Sequence, residues 1–147
     1  MRVYISGKIG EAVISEATRQ KFAKAEKMLE AKGYEVFNPT DGEWQEHLRK
    51  RYPIDREQGH DGEDIDFYAY ALLRDMMVLA TCEAVYMLPD FLDSKGAKAE
   101  HAFAIATGKK FMYADKNMAR IHAAKEYVDG TLRREYNSEN VLPEAAP

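Results

Sequence analysis

The chain has 147 residues, a formal net charge of −4 and a single cysteine, Cys82. That length suits one domain with its own core, the acidic balance argues against a nucleic-acid polymer as partner, and one thiol excludes an internal disulfide, in keeping with a reducing cytoplasm. No apolar run approaches the roughly 20 residues of a transmembrane helix, and the first six residues turn polar too soon for a signal peptide, so a cytoplasmic protein without a membrane partner is expected.

The predicted elements alternate. Arg2–Ser6 reads as a short strand, because Val3, Tyr4 and Ile5 favour extended backbone. Ser6-Gly7-Lys8-Ile9-Gly10 is a glycine-containing loop. From Ser15 to Lys32, Ala17, Phe22, Ala25, Met28 and Leu29 recur near the helical period, with Ser15 suited to the N-cap and Gly33 to the residue after the C-cap. Tyr34–Phe37 is a second strand, ended by Asn38-Pro39. Residues 40–66 are rich in charge and carry Gly42, Pro53, Gly59 and Gly62. A short helix over Trp44–Arg51 fits there, within an insertion that reads either as a lid or as a disordered excursion.

Ile65–Thr81 is helical again, with Phe67, Ala71, Leu72, Met76, Leu79 and Ala80 on its apolar face. Ala84–Leu88 is a third strand, Pro89–Lys95 a loop, Gly96–Thr107 a helix ended by Gly108, and Lys110–Tyr113 a fourth strand. Asn117–Tyr136 is mostly helical, with a break at Gly130, and residues 137–147 read as a flexible tail. Strands alternating with helices imply an α/β domain over residues 1–147, with a parallel sheet of four to five strands covered on both faces. Ligands of such folds bind beyond the carboxyl ends of the strands. The loops Ser6–Gly10, Asn38–Asp41 and Pro89–Gly96 meet there.

The stretch Ser94-Lys95-Gly96-Ala97-Lys98-Ala99-Glu100 stands out. Backbone N–H groups at a helix start attract anions, and a glutamate about one turn in would share that pocket. Taken alone, Glu100 is explained by the helix dipole. Asp75 falls on a largely apolar face with Ala71 and Leu79, so it is either buried with a partner or set in a pocket wall, unless it pairs at the surface with Arg74. Tyr4, taken alone, is a core aromatic whose hydroxyl needs a partner if buried. Gly7 allows close backbone approach and Lys8 could meet a phosphate, although the loop is too short for a P-loop or a dinucleotide fingerprint. His47, His60, His101 and His122 show no metal-ligand spacing, and no metal or organic cofactor is expected. His101 reads as structural, Cys82 as a small buried hydrophobe and Arg133-Arg134 as a solvated face.

Together these residues resemble the nucleoside 2-deoxyribosyltransferase-like superfamily, and within it a DUF4406-type group of small bacterial and phage proteins of uncharacterised function. The matching pieces are Val3-Tyr4-Ile5-Ser6-Gly7, Asn38-Pro39, Arg74-Asp75-Met76 with Leu79 and Cys82, Val85-Tyr86-Met87-Leu88-Pro89, and Ser94-Lys95-Gly96-Ala97 with Glu100, Ala104 and Gly108. They occur in family order over most of residues 2–114, with departures at Lys8, Glu83 and Phe91. The resemblance implies a flavodoxin-like (Rossmann-like) three-layer sandwich. It also implies chemistry at the N-glycosidic bond of 2′-deoxyribonucleosides or their 5′-monophosphates.

Carried over, Glu100 would attack C1′, Tyr4 would orient Glu100, and Asp75 would manage the proton on the departing base, following the two-carboxylate logic of retaining glycoside cleavage. In transferases of the superfamily that act on free nucleosides, an aspartate six residues before the nucleophile holds the 5′-hydroxyl. Here that position is Ser94. A serine and a helix start accommodate a phosphate where an aspartate would repel it. The resemblance thus implies a deoxynucleoside 5′-monophosphate N-glycosidase related to the nucleotide hydrolases of the superfamily, or a deoxyribosyl transferase. Ser6, Gly7, Lys8, Ile9, Asn38, Ser94 and Gly96 are the expected substrate contacts. The alternative is a non-catalytic nucleotide-binding or nucleotide-sensing module. The resemblance further implies a homo-oligomer, with the Ile65–Thr81 and Asp115–Tyr136 helices as interface candidates.

Overall fold

Strand β1 (Arg2–Ser6) is buried from Val3 to Ser6 and carries two kinds of side chain in strict alternation. Val3 and Ile5 point to one face of the sheet and Tyr4 and Ser6 to the other, as the period of two requires. The computed structural model describes residues 1–10, 13–58, 65–120 and 122. Residues 59–64 of the expected insertion, most of the Asn117–Tyr136 helix, Arg133-Arg134 and the tail 137–147 lie outside them.

The other strands are β2 (Glu35–Phe37), β3 (Ala84–Met87) and β4 (Lys110–Tyr113). All pairings are parallel, in the order β2-β1-β3-β4, with Tyr4 opposite both Phe37 and Val85. This is the doubly wound, flavodoxin-like arrangement, and its strand order reverses between β1 and β3. Helix α1 (Glu16–Ala31) covers one face: Phe22, Ala25 and Leu29 pack with Val3, Ile5, Tyr86, Leu88 and Met112. The opposite face is covered by α3 (Phe67–Thr81) and α4 (Lys95–Ala106), where Leu79, Ala97 and Ala104 pack with Tyr4, Val85, Met87, Phe111 and Tyr113. The result is the expected three-layer α/β sandwich with four strands among the described residues.

Local signals set most boundaries. The Ser15 hydroxyl accepts from the Thr18 N–H at 3.2 Å and starts α1. Gly33, at φ 91°, ends it in the left-handed region that favours glycine. Asp66 caps α3 through the Ala69 N–H at 2.8 Å. Residues 116–120 are helical, as expected for the start of the last helix.

Two elements differ from the expectation. Phe91–Asp93 forms a short 3₁₀ turn inside the expected Pro89–Lys95 loop. More consequentially, the region expected to hold a short helix carries α2, which runs from Gly42 to Glu57 with Asp41 as its N-cap. It continues past Pro53, although a proline removes one helical hydrogen bond and crowds the preceding turn. Contacts to α3 hold the second half in place. Tyr52 packs against Phe67 and Tyr70, and the Tyr70 hydroxyl donates to Asp55 at 2.6 Å. The Arg51–Asp55 pair, at 2.7 Å, spans the proline.

Candidate active site

The alternation of β1 aims Tyr4 and Ser6 at the same spot on α4. Both hydroxyls donate to Glu100: Tyr4 to Oε2 and Ser6 to Oε1, the latter at 2.9 Å. Glu100 is only 6% exposed, so its charge gains little from bulk water and depends on these two donors. Because α4 begins at Lys95 with Ser94 as its cap, Glu100 is the sixth helical residue, beyond the first turn where the dipole acts. The helix-dipole explanation therefore does not account for this glutamate.

Asp75 projects from α3 into the same region and is also buried. It does not pair with Arg74, whose guanidinium lies 3.4 Å from the His47 ring. Its Oδ1 accepts the Trp44 indole N–H at 2.8 Å. A chain of aromatic contacts fixes that indole: Tyr4 stacks on Phe37, and Phe37 meets Trp44 edge-on. The donor to Asp75 is thus tied through β2 to Tyr4, the hydrogen-bond partner of Glu100.

Burial dominates the proton affinities. It pushes Asp75 up to about 7, against the smaller opposing effect of the Trp44 N–H. It pushes Glu100 up to about 8, reinforced by the negative charge of Asp75 and opposed by the Tyr4 and Ser6 hydrogen bonds. Tyr4 is held well above the usual phenol range, first by burial and then by the neighbouring Glu100 and Asp75 charges. The carboxyl pair therefore shares one proton near neutral pH, the condition in which one group can attack while the other protonates.

Both carboxyls open onto a cavity of about 730 Å³. Gly7, Ile9, Ser94 and Gly96, four of the residues expected to contact substrate, line it. Gly7 could not carry a side chain there, since a β-carbon would lie 2.6 Å from Leu88 Cδ1 and 2.9 Å from Leu88 Cβ. Ser6 sits beneath the cavity as a partner of Glu100. The Ser94 hydroxyl accepts the Ala97 N–H at 3.1 Å while facing the cavity.

Two expected contacts are placed elsewhere. Lys8 is exposed and not among the lining residues; its N–H donates to Asp90 at 3.0 Å and its carbonyl accepts from Lys21 at 2.9 Å. Asn38 is buried and ties down the β2–α2 turn, accepting from the Thr40 N–H at 2.9 Å and donating to Glu26 at 2.8 Å. Helices α2 and α3 supply lining residues that the sequence reading does not single out: Gln45, Arg49, Tyr52, Phe67 and Tyr68. Their common signal is spacing, since 45, 49 and 52 share one helical face, as do 68, 72 and 75.

Among the described residues no group of three or more His, Cys, Asp or Glu side chains could hold a metal ion. No helix among them is long and apolar enough to cross a membrane. His101 stacks on Phe91 and meets His122 edge-on, away from the cavity lining.

No curated protein matches the chain. The chain is distantly similar to a solved structure of the 2-deoxyribosyltransferase of the psychrotolerant bacterium Bacillus psychrosaccharolyticus, at 15% identity and a TM-score of 0.49 over 77% of this chain and 71% of that one. Residues 1–113, which carry every site residue named above, match the family described as a domain of unknown function, DUF4406. The chain belongs to the DUF4406 family.

Proposed function

We propose that this protein cleaves the N-glycosidic bond of a 2′-deoxynucleoside 5′-monophosphate, with Glu100 as the nucleophile. The observation that carries the reading is the Glu100 carboxyl, held by Tyr4 and Ser6 on the wall of a cavity it shares with Asp75. A buried carboxyl with two dedicated donors and a second carboxyl nearby suits attack at an anomeric carbon. Ser94 supports the monophosphate, because a hydroxyl rather than a carboxylate stands at the start of α4.

In the reaction, ionised Glu100 forms a bond from carboxylate oxygen to C1′ as the C1′–N bond breaks. The departing base nitrogen takes its proton from neutral Asp75. Water then attacks C1′ and gives a proton to Asp75, and the Glu100 carboxylate leaves with its electron pair. A second base in place of water would give transfer. Tyr4 and Ser6 hold Glu100 in position and stabilise its charge when it is expelled.

Burial, which raises the Glu100 carboxyl to about 8, favours a second reading, a nucleotide-binding module without turnover. Incubating the protein with each of the four common deoxynucleoside 5′-monophosphates and measuring free base separates the two. Base release from at least one nucleotide is expected. Thermal stabilisation by a nucleotide with no release from any of them would favour the binding module.

A further inference from the structure

The charges of the cavity lining are segregated. Among the described residues, Asp75 and Glu100 are its two acidic groups and Arg49 is its single cation. Antiparallel packing of α2 on α3 sets them apart. Trp44, in the first turn of α2, reaches Asp75, whereas Arg49 lies over the Phe67 ring at 5.5 Å, at the first residue of α3. Phe67 and Asp75 are separated by roughly 12 Å of helix axis. The Tyr68 hydroxyl, also on the cavity wall, would lie 3.1 Å from a β-carbon built on Gly96. Tyr68 therefore reaches the first turn of α4 from across the cavity.

Among the described residues, neither the Arg49 guanidinium nor the Tyr68 hydroxyl has a hydrogen-bond or ion-pair partner, and the guanidinium is engaged only with the Phe67 ring. The other polar side chains contributed by α2 and α3 are committed. Gln45 donates to the Pro39 carbonyl at 2.6 Å, Tyr52 to the Ile65 carbonyl at 2.7 Å, and Asp75 accepts from Trp44. Among the described residues, two donors on the cavity wall thus remain for a ligand.

We infer that Arg49, assisted by Tyr68, is the residue that selects a phosphorylated ligand over its unphosphorylated counterpart. The inference rests on the nucleotide reading above and adds to it the discriminating group. A guanidinium presents paired donors that match phosphate oxygens. Its stacking on Phe67 limits the freedom lost on binding. A phosphate drawn to Arg49 is also kept away from Asp75, which would repel it. Because Arg49 comes from α2, nucleotide selection is linked to the element that positions Trp44 against Asp75.

The test compares wild type with Arg49→Gln, Arg49→Lys and Tyr68→Phe by titration calorimetry. Each is titrated with the four deoxynucleoside 5′-monophosphates and the four matching deoxynucleosides. Arg49→Gln is expected to weaken monophosphate binding about tenfold to a hundredfold and to leave nucleoside binding within about twofold. Arg49→Lys should recover part of the loss, and raising the salt concentration should narrow the gap between wild type and Arg49→Gln. Tyr68→Phe, which removes one oxygen and should fold as wild type does, is expected to weaken monophosphate binding alone by about threefold to tenfold. Equal weakening of both ligand sets, no change in either variant, or wild type that binds neither set or does not prefer the monophosphate would overturn the inference. Base release measured on the same samples keeps the two readings apart. Selective binding lost in Arg49→Gln, without base release by wild type, preserves the Arg49 assignment and removes cleavage. Base release with selectivity unchanged in Arg49→Gln does the reverse.

Discussion

Replacing Glu100 with glutamine is expected to abolish base release, by at least about a thousandfold, while flattening the dependence of stability on pH. An amide oxygen of similar shape can still accept from one hydroxyl, and the other hydroxyl can turn to accept from the amide nitrogen. The site then keeps its geometry but loses the electron pair that attacks C1′. The stability effect has a definite sign. Folding raises the proton affinity of Glu100 from 4.5 to about 8, chiefly through burial. The folded protein therefore binds that proton more tightly than the unfolded chain. This contribution is fully present below about pH 4.5 and is lost as the pH rises through about 8. Wild type should lose melting temperature relative to Glu100→Gln between pH 5 and 9. Parallel melting curves over that range would mean that Glu100 is not buried as an acid. The residual slope in the variant belongs partly to Asp75, raised to about 7 by the same cause.

Asp75→Asn is the second large effect. It removes the proton donor while preserving an oxygen for the Trp44 indole. Losing a positioned general acid costs about 10² to 10⁴ in rate. The pH profile is more diagnostic than the magnitude. Wild-type kcat/KM should be bell-shaped with its maximum near pH 7 to 8, where the pair holds one proton. Below that range both carboxyls are protonated and Glu100 cannot attack; above it both are ionised and Asp75 cannot donate, so the two limbs belong to the pair. In Asp75→Asn the high-pH fall should vanish. The low-pH limb should move to lower pH, because the negative charge that helps raise Glu100 is gone. A profile unchanged in shape would show that Asp75 handles no proton.

The paired residues of this site were legible in the sequence to different degrees. Tyr4 and Ser6 follow from strand periodicity, which places them on one face wherever β1 is drawn. Glu100 was legible as a residue near a helix start. Counted from either start, Gly96 or Lys95, it lies past the first turn of about 3.6 residues. Asp75 was legible as a carboxylate on an apolar face, but its partner was not. Trp44 lies in a segment whose charge, glycines and Pro53 argue against a long helix, and only tertiary contacts of Tyr52 and Asp55 with α3 override that local preference. For the same reason the sequence offers Lys8, in the glycine loop, as the cation for a phosphate, whereas the folded α2 places Arg49 on the cavity wall. The parallel sheet and its covering layers were legible because short strands alternate with helices along the chain. The reach of one helix across another carries no comparable mark in the chain.

The most direct measurement of the central idea is covalent capture. The protein would be incubated with a 2′-deoxy-2′-fluoro nucleoside 5′-monophosphate, whose fluorine slows hydrolysis of a glycosyl ester, and then digested for peptide mass spectrometry. A sugar-phosphate adduct on the peptide containing Glu100, with release of one equivalent of base and no adduct in Glu100→Gln, is the expected result. Base release without an adduct on Glu100, or an adduct that persists in Glu100→Gln, would contradict the assignment of this glutamate as the nucleophile.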